Sequence, residues 1–246
     1  MRRSRAADAG PRPSVVASAV EATHHASATR MRSLLETSHA TPAEFRAALL
    51  DVPARERDAW VDLVLGVGSL PDDGPELPRG CVPYLPCSVD ALLRVVEHAD
   101  VRASDVFVDI GAGVGRAAVL VHLLTGASTL GLEIQPGLVH TARDLLARMH
   151  GLRYLPVEGD ATRLLGHILL GTIFFLYCPF SGARLERVLD ELERIARTRP
   201  IRVCCVDLPL PPRPWLTLVS PPFEDLTVYR STLLETSPTE QAPTAV

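Results

Sequence analysis

Three glycines at alternate positions follow an acid in Val106-Phe107-Val108-Asp109-Ile110-Gly111-Ala112-Gly113-Val114-Gly115-Arg116. An apolar, β-branched run ends in Asp109, the chain turns on residues without a Cβ, and a helical pattern opens at Arg116. Such a turn lets backbone come close to a ligand, because no side chain stands between them. A second acid, Glu133, closes the next apolar run 24 residues on, and Asp160 follows the run after that in Val157-Glu158-Gly159-Asp160-Ala161. Acids at the carboxyl ends of neighbouring strands lie where open α/β sheets hold ligands. Carboxylates there suit hydroxyl and ammonium groups.

Two ligand classes use a glycine turn of this kind. A dinucleotide fingerprint requires GxGxxG, and the third glycine would fall at 116, where the chain has Arg. It also seats a pyrophosphate on the helix N-terminus, and Asp109 would lie near that negative charge. S-adenosylmethionine carries an ammonium, a sulfonium and no phosphate, and its two ribose hydroxyls suit one carboxylate such as Glu133. The acids favour the second class.

The elements that must position these residues can be read from periodicity. Apolar runs at 105–110, 128–133, 153–158, 172–178 and 201–207 alternate with amphipathic stretches near 115–125, 137–150, 161–168 and 182–197. That alternation predicts a parallel, doubly wound sheet covered by helices on both faces. Two further strand-like runs, 214–219 and 225–233, are separated by Ser220-Pro221-Pro222 with no room for a helix, and predict an antiparallel hairpin that closes the sheet. The expected fold is therefore α/β: a seven-stranded, mostly parallel Rossmann-like sheet with a C-terminal antiparallel hairpin and an N-terminal helical extension.

Upstream, Thr41, Pro42 and Glu44 form a capping box with a first-turn proline, and a second helix over 53–65 stops at Gly66. Trp60 is expected in the core. Ser88 caps a further helix with an apolar stripe of Leu92, Leu93, Val95 and Val96, preceded by the stiff segment Cys81-Val82-Pro83-Tyr84-Leu85-Pro86-Cys87. The expected organisation is a disordered tail over 1–40, a helical extension or lid over 41–80, a cofactor-binding domain over 81–234 and a frayed end over 235–246. Arg184, Arg187, Asp190, Glu193, Arg194 and Arg197 are expected to form a solvated helix face.

The 246 residues are 47% apolar with a net charge of −4, which excludes collagen, coiled coil and full-length disorder and gives no general attraction to nucleic acid. Every one of the 25 basic residues is Arg. Five cysteines at 81, 87, 178, 204 and 205 form neither a CxxC pair nor a ligand set with His, so no metal site and no disulfide framework is expected. No apolar run is long enough to cross a bilayer, and a cytoplasmic location is expected.

The glycine turn after Asp109, Glu133 after the second strand, Asp160 after the third and the terminal hairpin together resemble class I S-adenosylmethionine-dependent methyltransferases over residues 82 to 233. That resemblance implies that Asp109, Ile110, Gly111, Ala112, Gly113 and Gly115 hold the methionyl moiety. It implies that Glu133 holds the ribose, that Asp160 and Ala161 receive the adenine amino group and ring nitrogen, and that Ile134 and Tyr177 also contact the cofactor. More narrowly, Val82-Pro83-Tyr84-Leu85-Pro86-Cys87-Ser88, with Val108-Asp109-Ile110-Gly111 and Gly131-Leu132-Glu133-Ile134-Gln135-Pro136, is similar to the non-SET protein-lysine methyltransferases related to the adenine nucleotide translocase lysine methyltransferase. It implies that Pro83 and Tyr84 lie over bound cofactor. Residues 1–80 have no counterpart in it, and the fourth strand is the chain's own.

That fourth strand ends Leu176-Tyr177-Cys178-Pro179-Phe180, where methyltransferases acting on planar amines carry Asn/Asp-Pro-Pro-aromatic. Without the Asn or Asp, DNA adenine and release-factor methylation are disfavoured. Tyr177 and Tyr84 are the candidate catalytic residues, and Phe180 a candidate wall of the channel. The expected activity is methyl transfer to a protein lysine. The alternatives are a small-molecule methyltransferase, with the helices of 41–66 as a lid, and a cofactor-binding module without turnover. The oligomeric state stays open.

Overall fold

The computed structural model describes residues 15–68, 71, 77–219 and 223–232, with side chains from Thr23 onward. Four helices precede the sheet: α1 (Val15–Glu36), α2 (Pro42–Leu50), α3 (Arg57–Leu65) and α4 (Val89–His98). Strands and helices then alternate as β1 (Val106–Ile110), α5 (Arg116–Thr125), β2 (Ser128–Glu133), α6 (Pro136–Arg148), β3 (Tyr154–Glu158), α7 (Ala161–Leu164), β4 (Ile173–Tyr177), α8 (Ala183–Ala196) and β5 (Arg202–Val206). Strands β6 (Leu216–Leu218) and β7 (Leu226–Ser231) end the fold.

The sheet runs β3-β2-β1-β4-β5-β7-β6, with β7 antiparallel to both of its neighbours and every other pair parallel. The order reverses between β1 and β4, so the crevice outside their carboxyl ends is the place where such sheets bind ligands. Alternation along the strands splits the core into two layers. Phe107, Phe175 and Cys204 pack with α4, α5 and the N-terminal helices. Val108, Ile110, Phe174, Leu176, Val203 and Cys205 pack with α8. The expected fold class is the one found.

Two expectations about the N-terminal part are corrected. Residues 15–36, expected within a disordered tail, form α1, and its Ala28, Met31 and Leu35 are buried against the core. These lie at i, i+3 and i+7, a stripe too narrow to stand out among Ser, Thr, His and Arg, and it becomes stable by packing on α3. Residues 1–14, and the frayed end expected over 235–246, lie outside the described residues. The helices of 41–65 form no lid. Phe45, Leu49, Trp60, Val61 and Val64 are buried in the layer that contains α4 and α5, on the flank of the sheet. Thr41 makes the expected capping box with Glu44, and Gly66 ends α3 in the left-handed conformation. No helix among the described residues is long and apolar enough to cross a membrane.

Candidate functional site

A cleft opens at the carboxyl ends of β1 to β5. Its wall includes Pro83, Tyr84, Gly111, Glu133, Ile134, Asp160, Ala161 and Tyr177. Asp109, Ile110, Ala112, Gly113 and Gly115, named with them from sequence, stand behind that wall. The cleft also collects residues that the sequence alone did not single out as site residues, chiefly Cys81, Gln135, Cys178, Arg184 and Asp207.

Glu133 is the organising side chain. It is 7% exposed at the end of β2, its Oε2 accepts the Gly113 amide at 2.8 Å and its Oε1 accepts the Gln135 amide at 2.8 Å. Three more amides of the turn are engaged too: those of Gly111 and Ala112 donate to the Leu132 carbonyl at 2.9 and 3.0 Å, and that of Gly115 to the Ala112 carbonyl at 2.9 Å. Asp109 lies beneath, with one carboxylate oxygen buried and lacking a hydrogen-bond partner among the described residues. Burial, then the nearby Glu133 charge, pushes its carboxyl up to about 7, against an opposing hydrogen bond from the Ala118 amide.

The three glycines of the turn all have positive φ, and each leaves room for one of the protein's own side chains. A Cβ at Gly111 would stand 2.6 Å from the Pro179 Cβ, one at Gly113 would overlap the Tyr84 ring, and one at Gly115 would meet the Tyr154 hydroxyl at 2.5 Å. Close backbone approach is therefore used for internal packing as well as for opening the cleft at Gly111. Tyr154 is a packing residue that periodicity did not mark. It opens β3 and also crowds the Cβ position of Gly131.

The segment 82–87 forms a strap along the cleft. At its start, Val82 donates to the Pro179 carbonyl at 3.1 Å and Ser181 to the Gly80 carbonyl at 3.0 Å, around an antiparallel bridge between Cys81 and Phe180. Its far end is held by Arg116, whose Nη1 donates to the Cys87 carbonyl at 2.7 Å. Arg116 is 3% exposed. Its Nε reaches Asp62 at 2.6 Å and its Nη2 reaches Asp58 at 2.8 Å, both on α3. One guanidinium thus ties the first residue of α5, the strap and the N-terminal helices together. Burial opposes its charge, and the two carboxylates outweigh that and raise its pKa.

Asp160 caps α7, its Oδ1 accepting from the Thr162 amide at 3.0 Å and the Thr162 hydroxyl at 2.8 Å. Both of its oxygens lie 3.0 Å from Nη1 of Arg184. Burial alone would raise the Asp160 carboxyl, and the Thr162 and Arg184 contacts outweigh it and hold it low. Arg184 therefore departs from the expected solvated face: from the first turn of α8 it pairs with Asp160 in the cleft wall, while Arg194 and Arg197 do make the i,i+3 and i,i+4 pairs with Glu191 and Glu193. Helix periodicity could not reveal it, because its partner is 24 residues away.

Tyr177 is the last residue of β4 and lies in register with Val206 of β5. One step beyond that pair, Cys178 and Asp207 both take left-handed backbone angles, φ 42° and 51°, and the Cys178 thiol donates to the Asp207 carbonyl. Burial raises the Tyr177 phenol and, more strongly, that of Tyr84. Neither is an ionised base. The sign that could have found Asp207 was in the sequence: like Asp109, Glu133 and Asp160, it stands at the end of an apolar run.

No protein-family model and no curated protein matches the chain. Among solved structures, the chain is similar to the putative methyltransferase yhhF from Escherichia coli, with a TM-score of 0.51 and 20% identity over 67% of this chain and 92% of that one. It is also similar to an RNA methyltransferase from Salinibacter ruber in complex with S-adenosyl-L-homocysteine, at 27% identity over 65% of this chain and all of that one, with a TM-score of 0.47. The chain shares the α/β, Rossmann-like fold of that putative methyltransferase from Escherichia coli.

Proposed function

We propose that the chain is an S-adenosylmethionine-dependent methyltransferase that N-methylates a protein lysine side chain. One observation carries the choice of cofactor: the glycine-turn amides of Gly111, Ala112, Gly113 and Gly115 are all engaged within the protein, that of Gly113 by a carboxylate. A pyrophosphate would need such amides pointing at it. Here the turn presents negative charge, and the cation that follows it, Arg116, is directed to Asp58 and Asp62. A cationic, phosphate-free nucleoside fits this arrangement, and a dinucleotide does not.

In this assignment Glu133 holds the ribose, since a carboxylate oxygen accepts more than one hydrogen bond and both oxygens are fixed in direction by backbone amides. The turn from Asp109 through Gly115, with its buried acceptor oxygen on Asp109, provides for the methionyl ammonium. Ala161 receives the ring nitrogen of the base and Asp160 its amino group, with Ile134 beside them in the cleft wall. Pro83 and Tyr84 cover the cofactor from the strap.

When bound, the cofactor supplies an electrophilic methyl group: the acceptor's nitrogen lone pair forms the new N–C bond while the C–S pair returns to sulfur. The protein's part is alignment, an effect worth up to about 7–11 kcal/mol in well-oriented systems. Tyr177, kept as a phenol, orients the amine by hydrogen bonding. The proton that the amine must lose goes to water, since among the described residues no His lines the cleft and both of its tyrosines stay phenols.

Lysine is favoured over a compact metabolite by the strap's similarity to that of protein-lysine methyltransferases. A small-molecule enzyme was to use the helices of 41–66 as cover, and these pack on the flank instead. The test is incubation of the protein and isotopically methyl-labelled cofactor with cell extract. Label in protein lysines supports the proposal, label in extractable metabolites overturns the acceptor, and cofactor binding with no labelled acceptor supports a module without turnover. With no Lys in the chain, lysine self-labelling contributes nothing.

A further inference from the structure

The cleft is asymmetric in charge. Its described lining carries three carboxylates, Glu133, Asp160 and Asp207, against one guanidinium, Arg184. Arg184 is held by both oxygens of Asp160, and Glu133 is held by two backbone amides. Asp207 differs from both. It is exposed at the mouth, and its carboxylate makes no hydrogen bond or ion pair with any described residue. Its place is fixed by backbone: its amide donates to the Asp225 carbonyl at 3.0 Å, its carbonyl accepts the Cys178 thiol, and it lies one residue past Val206, the register partner of Tyr177.

We infer that Asp207 is the docking group for a cationic acceptor: it receives the ammonium form of a primary amine at the mouth of the cleft and delivers the nitrogen to Tyr177. This rests on the methyltransferase reading and adds the charge of the acceptor to it. An unpaired carboxylate beside the reacting end attracts ammonium and repels phosphate and carboxylate acceptors, which favours amines over nucleic acids and acids at this site. Asp207 is a positioning residue. The docked ammonium gives one proton to solvent before its lone pair reacts, and Asp207 is unchanged by the transfer.

Two ligands separate the inference from the reading beneath it. S-adenosylhomocysteine has a neutral thioether, and sinefungin carries a protonated amine in place of the sulfonium methyl group, so their affinity ratio reports charge at the acceptor end. Calorimetry on the full chain compares wild type and Asp207→Asn. Asn tolerates the left-handed backbone as Asp does, so Asp207→Asn removes charge and keeps the turn. The expected result is an unchanged affinity for S-adenosylhomocysteine, with sinefungin weakened about twofold to fivefold in Asp207→Asn, as for an exposed ion pair. In wild type the sinefungin preference should also shrink as salt rises, a measurement that needs no variant. A ratio unmoved by either the Asn substitution or salt overturns the docking role. Failure of wild type to bind S-adenosylhomocysteine overturns the cofactor reading itself.

Discussion

The carboxylate of Glu133 and the amide of Gly113 are hydrogen-bonded at 2.8 Å, so the acid that ends β2 fixes the middle of the turn that follows β1. In the proposed assignment, ligand contact and turn geometry meet in one side chain. Glu133→Ala removes both, and Glu133→Gln keeps one acceptor oxygen. We expect cofactor affinity to fall about 10–100-fold for Glu133→Ala, the loss of one or two hydrogen bonds to a charged group, and less for Glu133→Gln. Calorimetry with S-adenosylhomocysteine checks this, with a circular dichroism spectrum to establish that the fold persists. Unchanged affinity would remove the ribose assignment.

Gly113→Ala should displace the strap. The new methyl group would overlap the Tyr84 ring, and φ at this position is 54°, a conformation that Ala adopts only with strain. We expect a destabilisation on the order of 1–3 kcal/mol, partly relieved in Gly113→Ala/Tyr84→Ala, where the ring is gone and only backbone strain remains. Denaturant midpoints of the single and double variants give the coupling. Strict additivity would mean that Tyr84 does not rest on this turn.

Asp109 gives a signed dependence on pH. Its carboxyl is pushed up to about 7 in the fold, first by burial and then by Glu133, so the folded protein holds this proton more tightly than the unfolded chain does. Stability from this group is therefore fully present below the unfolded carboxylate range and declines as pH rises through about 7. Asp109→Asn should flatten the pH dependence in that window. Urea midpoints of the two proteins measured across it test the point, and parallel curves would contradict it.

Arg116 predicts an asymmetry. Its guanidinium is buried, and its partners Asp58 and Asp62 are half exposed, at 50% and 42%. Removing the cation by Arg116→Met leaves carboxylates that water can solvate, and we expect a cost of about 2–4 kcal/mol. Removing both acids in Asp58→Asn/Asp62→Asn leaves a buried charge without compensation and should destabilise more. Equal urea midpoints for the two variants would show that water reaches the guanidinium.

Much of the sheet was legible because its strands are buried on both faces and read as β-branched runs, and because Ser220-Pro221-Pro222 leaves no room for a crossover helix. Glu133, Asp160 and Tyr177 were legible as strand ends. Other residues were hidden for identifiable reasons. The stripe of Ala28, Met31 and Leu35 signals a helix only once α3 is there to cover it. Arg184 looks like any charged residue on an amphipathic helix until Asp160 is brought opposite by the sheet. Arg116 was read as the residue that breaks a dinucleotide fingerprint, and its burial follows from a helix more than 50 residues upstream. Long-range charge pairing leaves no periodic trace, so these contacts could be found only in three dimensions.

The guanidinium shared by α3, the strap and α5 has a consequence for how the chain can be divided. A fragment begun at residue 81 would retain Arg116 while discarding both of its counterions, and would lay bare the apolar flank of α5 against which α2, with its buried Phe45 and Leu49, packs. The cleft-bearing part is thus not expected to be autonomous: trimming the first two helices past Thr41 should yield an insoluble polypeptide instead of a minimal folded domain.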